Sequence, residues 1–161
     1  MAKTGARVTE VLTLEEDDLM LKDGFIRFRD RKGGNDTVNP VDDETIDAIQ
    51  RFLWTQTHDD GIVFRGIRGD RVSRKQANRA VKQAAIDADV MEDGENRFRK
   101  KFTAHTYRTV FTTLMRNEGM PDWMVRYLRG DGEKEIMDRY TRVDREQMRR
   151  EYLDCIKPLN M

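Results

Sequence analysis

Residues 19–41 read LMLKDGFIRFRDRKGGNDTVNPV, and this stretch sets the fold class of the chain. Two apolar runs, 19–21 and 25–29, flank a Lys-Asp-Gly turn, which is typical of two strands joined by a tight connection. A second, glycine-rich turn leads to a third run at 37–41, where Pro40 marks the end of the strand or an edge. The stretch therefore predicts a small three-stranded antiparallel sheet.

Helical patterns lie on both sides of the predicted sheet. Apolar periodicity and capping residues indicate helices at residues 6–14, after Asp42, from Ser73 to about Val90, at 104–118, after Pro121 and after Asp144. A shorter helix or turn carries Tyr140. The order of elements predicts an α+β fold that is mostly helical, with the small antiparallel sheet packed against a helical domain.

The apolar side chains of these helices predict the faces that are buried. They are Ile46, Ile49, Phe52 and Leu53 in the second helix, Ala77, Ala80, Val81, Ala84, Ala85 and Ala88 in the third, and Val110, Phe111, Leu114 and Met115 in the fourth. The last helix carries Met148, Tyr152 and Ile156 on one face. Each stripe is expected to pack against the sheet or another helix.

Length and composition exclude several classes of protein. With 161 residues, the chain is one domain, or one domain of a longer protein, and it can bury a core. Because no apolar run is long enough to span a bilayer and no secretory signal precedes the first helix, we expect a cytoplasmic protein without a membrane partner. The single Cys155 excludes an internal disulfide, and two histidines with one cysteine suggest no metal site.

Charged residues are distributed unevenly, although the 30 basic and 30 acidic side chains cancel. A basic stretch contains Arg65, Arg68, Arg71, Arg74, Lys75, Arg79 and Lys82, and a second cluster contains Arg97, Arg99, Lys100 and Lys101. Acidic residues concentrate at 15–18, 42–47 and 87–95. This pattern indicates a bipolar molecule with one basic face, which is either a nucleic-acid contact or an ordinary solvated helix surface.

Five further residues have the chemistry needed to cut a DNA strand. They occur in four short contexts, namely Arg7 in GARVTEVL, Lys32 in RKGG, His105 and Arg108 in AHTYR, and Tyr140 in DRYTRV. Cleavage of a phosphodiester without a metal requires a nucleophile, cations for the phosphate oxygens and a proton for the leaving oxygen. In this order, over about residues 5–157, the set resembles the catalytic domain of tyrosine recombinases, the phage and archaeal integrase family.

The resemblance implies a role for each of these residues. Tyr140 is the nucleophile, which forms a 3′-phosphotyrosyl bond with DNA and leaves a free 5′ hydroxyl. Arg7 and Arg108 clamp the phosphate, and His105 assists proton transfer or hydrogen-bonds the phosphate. Lys32 protonates the leaving oxygen. Because the phosphotyrosyl bond conserves the energy of the broken bond, no cofactor is expected.

Asp131 is a departure from the family pattern. The family has Leu-Gly-His, or tryptophan in place of the histidine, nine residues before the tyrosine, whereas this chain reads Leu128-Arg129-Gly130-Asp131. A carboxylate near a phosphate is repulsive unless it is turned away or paired with a cation. Three interpretations follow: Asp131 accepts the proton of Tyr140, Arg129 becomes a substitute phosphate ligand, or the enzyme is weakened.

The start of the chain is a second departure. The family has another helix before the first arginine and a separate N-terminal DNA-clamping domain, whereas here six residues precede Arg7. We therefore interpret residues 1–161 as a single catalytic domain that lacks the N-terminal core-binding domain, either as a C-terminal fragment or as the product of a split gene. Alone, such a domain is expected to bind DNA weakly and with little specificity.

The predicted function is site-specific recombination or integration of DNA in a mobile element, such as a virus or a plasmid. The partners are double-stranded DNA, contacted by the seven residues of the basic stretch with Lys100 and Lys101, and other recombinase protomers. We expect a tetramer on DNA and a weak oligomer or monomer without it. The last helix packs either on its own domain or into a neighbouring protomer. The alternatives are an inactive DNA-binding remnant or regulator, and a type IB topoisomerase.

Overall fold

The computed structural model describes residues 1–31, 35–57, 60–66, 68–95, 97, 101–131 and 144–159. These residues form six α-helices and one antiparallel sheet, so the predicted α+β class is confirmed. In chain order the elements are α1 (Val8–Leu12), β1 (Leu19–Met20), β2 (Phe25–Arg31), β3 (Asn35–Pro40), α2 (Asp43–Trp54), α3 (Arg74–Asp87), α4 (Ala104–Asn117), α5 (Asp122–Arg129) and α6 (Arg145–Cys155). The short helix or turn predicted around Tyr140 lies outside the described residues.

The sheet has the predicted strand–turn–strand arrangement, with β2 between β1 and β3. Gly24 has a φ of +78° in the first turn, where a side chain would strain the backbone. Phe25 pairs with Pro40 and Phe28 with Thr37, but the register shifts between Phe28 and Arg31. This irregularity changes which side chains of β2 point inward near its end.

Two hydrophobic clusters fill the interior. The first contains Ala6, Leu14, Ile26, Phe28, Val41 and Val63, and partly buried residues of α1 and α2 pack against it. The second lies among the helices and contains Phe111, Met115, Met120, Met124, Val125, Leu128, Met148, Tyr152 and Cys155. Because three members of the second cluster belong to α6, the last helix packs on its own chain in this structure.

The buried faces of three helices are narrower than the apolar pattern predicts. In α3 only Ala85 is buried, while Ala80, Ala84 and Ala88 are exposed. This helix contacts α1 and α4, and these three alanines lie on faces that are open to solvent. Val110 of α4 is also exposed, as is Phe52 of α2, whose ring still lies 5.5 Å from that of Phe64.

A buried lysine joins the first residues of the chain to α2 and α6. Lys3 Nζ contacts Asp42 Oδ2 at 2.6 Å and Glu44 Oε2 at 2.7 Å, and it donates to the carbonyl of Lys157 at 2.7 Å. Tyr152 Oη donates to the carbonyl of Lys3 at 2.9 Å. These contacts fix the segment that leads into Arg7.

Candidate active site

Arg7 and Arg108 meet at one cleft, although the sequence places them far apart. The cleft has a volume of about 820 Å³, and His105, Arg129 and Asp131 also line it. Asp131 Oδ1 accepts from Arg7 Nη2 at 2.6 Å and from Arg108 Nη2. The structure therefore brings together four of the six predicted catalytic residues, namely Arg7, His105, Arg108 and Asp131.

Arg7 is the N-cap residue of α1 and has an extended backbone. Its backbone N–H donates to Glu10 Oε2 at 2.6 Å, as in one half of a capping box, and its Nη1 donates to Glu10 Oε1 at 2.7 Å. Nη1 also lies 3.3 Å from the carbonyl of Gly130. One carboxylate thus holds both the main chain and the side chain of Arg7, and Nη2 is left to face the cleft.

Arg108 projects from the second turn of α4, and only 3% of the residue is exposed. Its Nη1 donates to the carbonyls of Gly5 and Arg129. Burial lowers the pKa of Arg108 to about 10, against the attraction of Asp131, and the positive charges of Arg7 and Arg129 act in the same direction as burial. Arg108 still carries its charge at neutral pH, which is the form that binds phosphate.

Asp131 follows the C-terminal end of α5, where Gly130 adopts the left-handed conformation with a φ of +63°. Its Oδ2 lies 2.9 Å from Arg129 Nε, so one carboxylate contacts three guanidinium groups. The negative charge of Asp131 is therefore balanced by pairing with Arg7, Arg108 and Arg129.

A buried arginine that sequence reasoning missed lies behind this group. Arg31 Nη1 donates to Thr37 Oγ1 at 2.6 Å and to the carbonyl of Leu128 at 2.8 Å, while Nη2 donates to Glu10 Oε2 at 2.9 Å. The carbonyl of Leu128 also accepts from Asn39 Nδ2 at 2.6 Å. The last carbonyls of α5 are thus bound by cations and an amide, which suits the negative end of the helix dipole.

Glu10 is the common partner of Arg7 and Arg31, and its side chain is 8% exposed. Burial by itself raises the pKa of Glu10, but hydrogen bonds and the positive charge of Arg31, together with hydrogen bonds from Arg7, lower this pKa overall. Glu10 is therefore ionised at neutral pH and holds both arginines in place.

His105 lies in the first turn of α4, is exposed, and lines the cleft one turn before Arg108. The spacing of three residues places both side chains on one helix face, as the sequence predicts. The backbone N–H of Thr103, the N-cap residue, donates to Thr106 Oγ1 at 3.0 Å and fixes the start of the helix. His105 therefore borders the same cleft as Arg7 and Arg108.

The basic residues predicted to contact DNA divide into two groups. Arg74, Lys75, Arg79, Lys82 and Lys101 line the cleft beside the two arginines. Arg65, Arg68 and Arg71 are not among its described lining residues, and two of them are engaged elsewhere. Arg71 donates to Glu15 Oε1 at 2.7 Å and to the carbonyl of Leu14 at 3.2 Å, whereas Arg65 contacts Asp60 and the carbonyl of Gly69.

Three predicted site residues, Lys32, Lys100 and Tyr140, lie outside the described residues. Within the described part of the chain, no group of three or more histidine, cysteine or acidic side chains is arranged to hold a metal ion. None of the helices in that part is long and apolar enough to cross a lipid bilayer.

The chain is similar in sequence to known proteins. The family model described as the phage integrase family matches residues 1–147. The tyrosine recombinase XerD of Vibrio cholerae is 30% identical over 154 residues, which are 91% of this chain and 48% of that protein. The chain thus spans about half the length of the curated relatives it matches.

Two solved structures have a similar fold. The integrase of the mycobacterium phage Brujita has a TM-score of 0.73 at 22% identity, with 98% of this chain and 49% of that chain covered. The XerH site-specific recombinase bound to its difH substrate, in a pre-cleavage complex, has a TM-score of 0.67 at 19% identity, with 92% and 43% covered. At these identities the likeness shows the fold alone.

Proposed function

The chain belongs to the phage integrase family, and we therefore propose that it cuts and rejoins DNA at specific sites through a covalent bond to Tyr140. The family expected from the four sequence contexts is confirmed. The activity remains a proposal because the chain spans about half the length of its relatives.

The observation that carries this proposal is the convergence of Arg7 and Arg108 on one anion. Their Nη2 atoms contact the same oxygen of Asp131 in a cleft that is also lined by other basic residues. Two guanidinium groups in this arrangement can neutralise the non-bridging oxygens of a phosphodiester, whose charge increases in the transition state. His105 and the cations of α3 line the same cleft, so positive charge that can attract a DNA backbone lies beside this point.

The proposed reaction is a reversible exchange of one phosphorus–oxygen bond for another. The oxygen of Tyr140 bonds to phosphorus while the bond from phosphorus to the 5′ oxygen breaks, and Lys32 gives that oxygen a proton. The proton of the Tyr140 hydroxyl passes to His105 or, where His105 instead donates a hydrogen bond to the phosphate, to solvent. Attack of another 5′ hydroxyl on the phosphotyrosyl bond then rejoins the strand. The bond count is unchanged, so the reaction needs no external source of energy.

The proposed partners are double-stranded DNA and further copies of the recombinase, assembled as a tetramer on DNA. We place the protein with DNA in the cytoplasm, and we assign it to a mobile element such as a virus or plasmid. The interpretation of the chain as the catalytic half of a protein with a separate core-binding domain also remains a prediction. The inactive remnant and the type IB topoisomerase gain no support from relatives named as recombinases.

A covalent-capture experiment tests the function. The chain is incubated with a labelled library of nicked duplexes of random sequence, so that the target need not be known, and protein-linked label is measured on a denaturing gel. Tyr127→Phe is the matched control. Tyr127 lies on α5, and its substitution also removes one tyrosine hydroxyl. We expect an adduct with the wild type and Tyr127→Phe and none with Tyr140→Phe. A wild type that binds the library but forms no adduct would contradict strand transfer by this chain.

A further inference from the structure

The carboxylate of Asp131 occupies a site built for an anion. Arg7 Nη2 lies 2.6 Å from Oδ1, Arg108 Nη2 contacts the same oxygen, and Arg129 Nε lies 2.9 Å from Oδ2. A carboxylate and a phosphodiester each carry one negative charge shared by two oxygens, so the same fork-shaped donors suit both. Three arginines around one carboxylate that is 27% exposed therefore also form an arrangement that suits a phosphate.

We propose that Asp131 occupies the phosphate site of the DNA-free protein as an internal substitute, and that Arg129 is a third phosphate-binding arginine which acts once DNA displaces this carboxylate. The inference rests on the proposed function, since it concerns the same cleft and the same phosphate. It assigns to Arg129 a direct contact with substrate, and to Asp131 a competing role that weakens DNA binding.

The exchange of one anion for another is electrostatically balanced. The positive charges of Arg7, Arg129 and the buried Arg31 all act on Arg108, which is unfavourable without an anion among them. Asp131 supplies that anion when no DNA is bound. Its side chain is 27% exposed, and the contacts that it makes with described residues are to the side chains of Arg7, Arg108 and Arg129, so it can turn outward when a phosphate enters.

The Nε–H group of Arg129 is an unused hydrogen-bond donor. It is buried and makes no hydrogen bond of acceptable geometry, although it lies within ion-pair distance of Asp131 Oδ2. A buried donor without a well-aligned acceptor is costly, and a phosphate oxygen in the cleft would satisfy it. The side chain of Arg129 lines the cleft beside Arg7 and Arg108, so it needs no large movement to make this contact.

The sequence provides an independent observation. The resemblance predicts Leu-Gly-His at residues 129–131, and this chain has changed the two positions around the glycine to residues of opposite charge. An aspartate alone at residue 131 would remove a phosphate donor and add repulsion. An arginine at residue 129 supplies a donor again and also offsets the added charge. The two changes are thus related: Arg129 replaces the donor that is lost at residue 131 and offsets the charge that Asp131 adds.

A cycle of DNA-binding measurements separates this role from simple charge compensation. The affinity for a short labelled duplex of random sequence is measured by fluorescence anisotropy for the wild type, Asp131→Asn, Arg129→Gln and the double variant. We expect Asp131→Asn to tighten binding about threefold to tenfold, because the competing carboxylate is removed. We expect Arg129→Gln to weaken binding by a similar factor in both backgrounds.

Two controls on α5 match the charge changes. Asp122→Asn and Arg126→Gln alter exposed side chains that pair with each other, outside the described lining of the cleft. If Asp122→Asn tightens binding as much as Asp131→Asn, the effect is long-range charge and the inference fails. It also fails if Arg129→Gln has no effect in the Asp131→Asn background, because Arg129 then only neutralises Asp131. Weaker binding by Asp131→Asn would show that the carboxylate holds the arginines and does not compete.

A measurement on the wild-type protein tests the same inference without relying on variants that could fold poorly. Inorganic pyrophosphate is titrated into the protein while the Nε–H resonances of its arginines are followed by NMR. The resonances of Arg7, Arg108 and Arg129 should shift with one common affinity, and a silent Arg129 would overturn the inference. These binding results do not depend on strand cleavage. Covalent capture without the expected binding cycle would therefore refute only this inference, and the reverse result would refute only the proposed activity.

Discussion

Arg31 donates to Glu10 across 2.9 Å, at a place where neither side chain is more than 8% exposed. The contact joins the end of β2 to the first turn of α1, which follows Arg7. Because Glu10 also holds the main chain and side chain of Arg7, the position of this cleft-lining arginine depends on a buried ion pair behind it. The same Arg31 binds the end of α5, so three elements meet at one guanidinium.

We expect Arg31→Met to destabilise the protein by roughly 3 kcal/mol, because it leaves a buried carboxylate with one partner fewer and removes two further hydrogen bonds. The free energy of unfolding is measured by urea denaturation followed by circular dichroism. Arg126→Met is the control, since its side chain is exposed and its ion pair contributes about 0.5 kcal/mol or less. Equal losses for the two variants would show that Arg31 has no special structural role.

The pKa of Glu10 predicts how stability depends on pH. Its folded-state pKa is lowered from the ordinary value of 4.5, despite the opposing effect of burial, by contacts with Arg31 and Arg7. A lowered carboxyl pKa contributes stability that is present above about 4.5 and is lost as the pH falls through the folded-state pKa. Glu10→Gln should therefore be less stable than the wild type at pH 7, and the gap should shrink below about pH 4.5. A gap that stays constant or grows in urea melts over this range would contradict the assignment.

The sequence predicts local elements well because their signals are local. Gly24 and Pro40 mark the ends of strands through their own backbone restrictions, and Ser73 and Thr103 mark helix starts through capping. The burial of Arg31 could not be predicted in this way. Strict alternation from Ile26 and Phe28 would place residue 30 inward, but the irregularity after Phe28 shifts the phase and buries Arg31 instead.

The candidate site also combines features that the sequence predicts with features that depend on packing. The residue types of Arg7, His105 and Arg108 were found by the resemblance, and no periodicity rule brings a helix N-cap and a residue of α4 to one cleft. The pairing of Asp131 depends on where the end of α5 lies relative to both, which is a property of the packed structure. Lys32 and Tyr140 lie outside the described residues, so their roles remain predictions.

Gly130→Ala should be far more damaging than Gly119→Ala. Both glycines have a positive φ, which costs an alanine about 1 kcal/mol, and a Cβ at Gly119 would meet nothing within 4 Å. A Cβ at Gly130 would lie 2.6 Å from Arg31 Cζ, so the buried guanidinium or the end of α5 must move. Thermal denaturation of both variants tests this difference, and equal melting temperatures would contradict the close packing of Arg31 on Gly130.

His105→Ala should slow covalent capture without weakening DNA binding. The exposed imidazole is one of many cleft residues and adds little to affinity, whereas general acid–base assistance contributes about a hundredfold or more to rate. Thr113→Ala, an exposed position further along α4, serves as the control. The rate of adduct formation and the affinity for the duplex are measured on the same preparations. A parallel loss of both quantities would assign His105 to binding alone.

The sequence predicts DNA contacts along the whole basic stretch, whereas the cleft favours those of its residues that line it. Each phosphate contact releases counterions, so the loss of one such contact reduces the slope of log affinity against log salt by about one. Arg79 lines the cleft, whereas Arg68 is exposed and is not among its described lining residues. Arg79→Gln should therefore lower the salt slope by about one, and Arg68→Gln should leave it unchanged. If Arg68→Gln lowers the slope as much as Arg79→Gln, DNA also follows the loop before α3, and the contact surface extends beyond the cleft to the first part of the basic stretch.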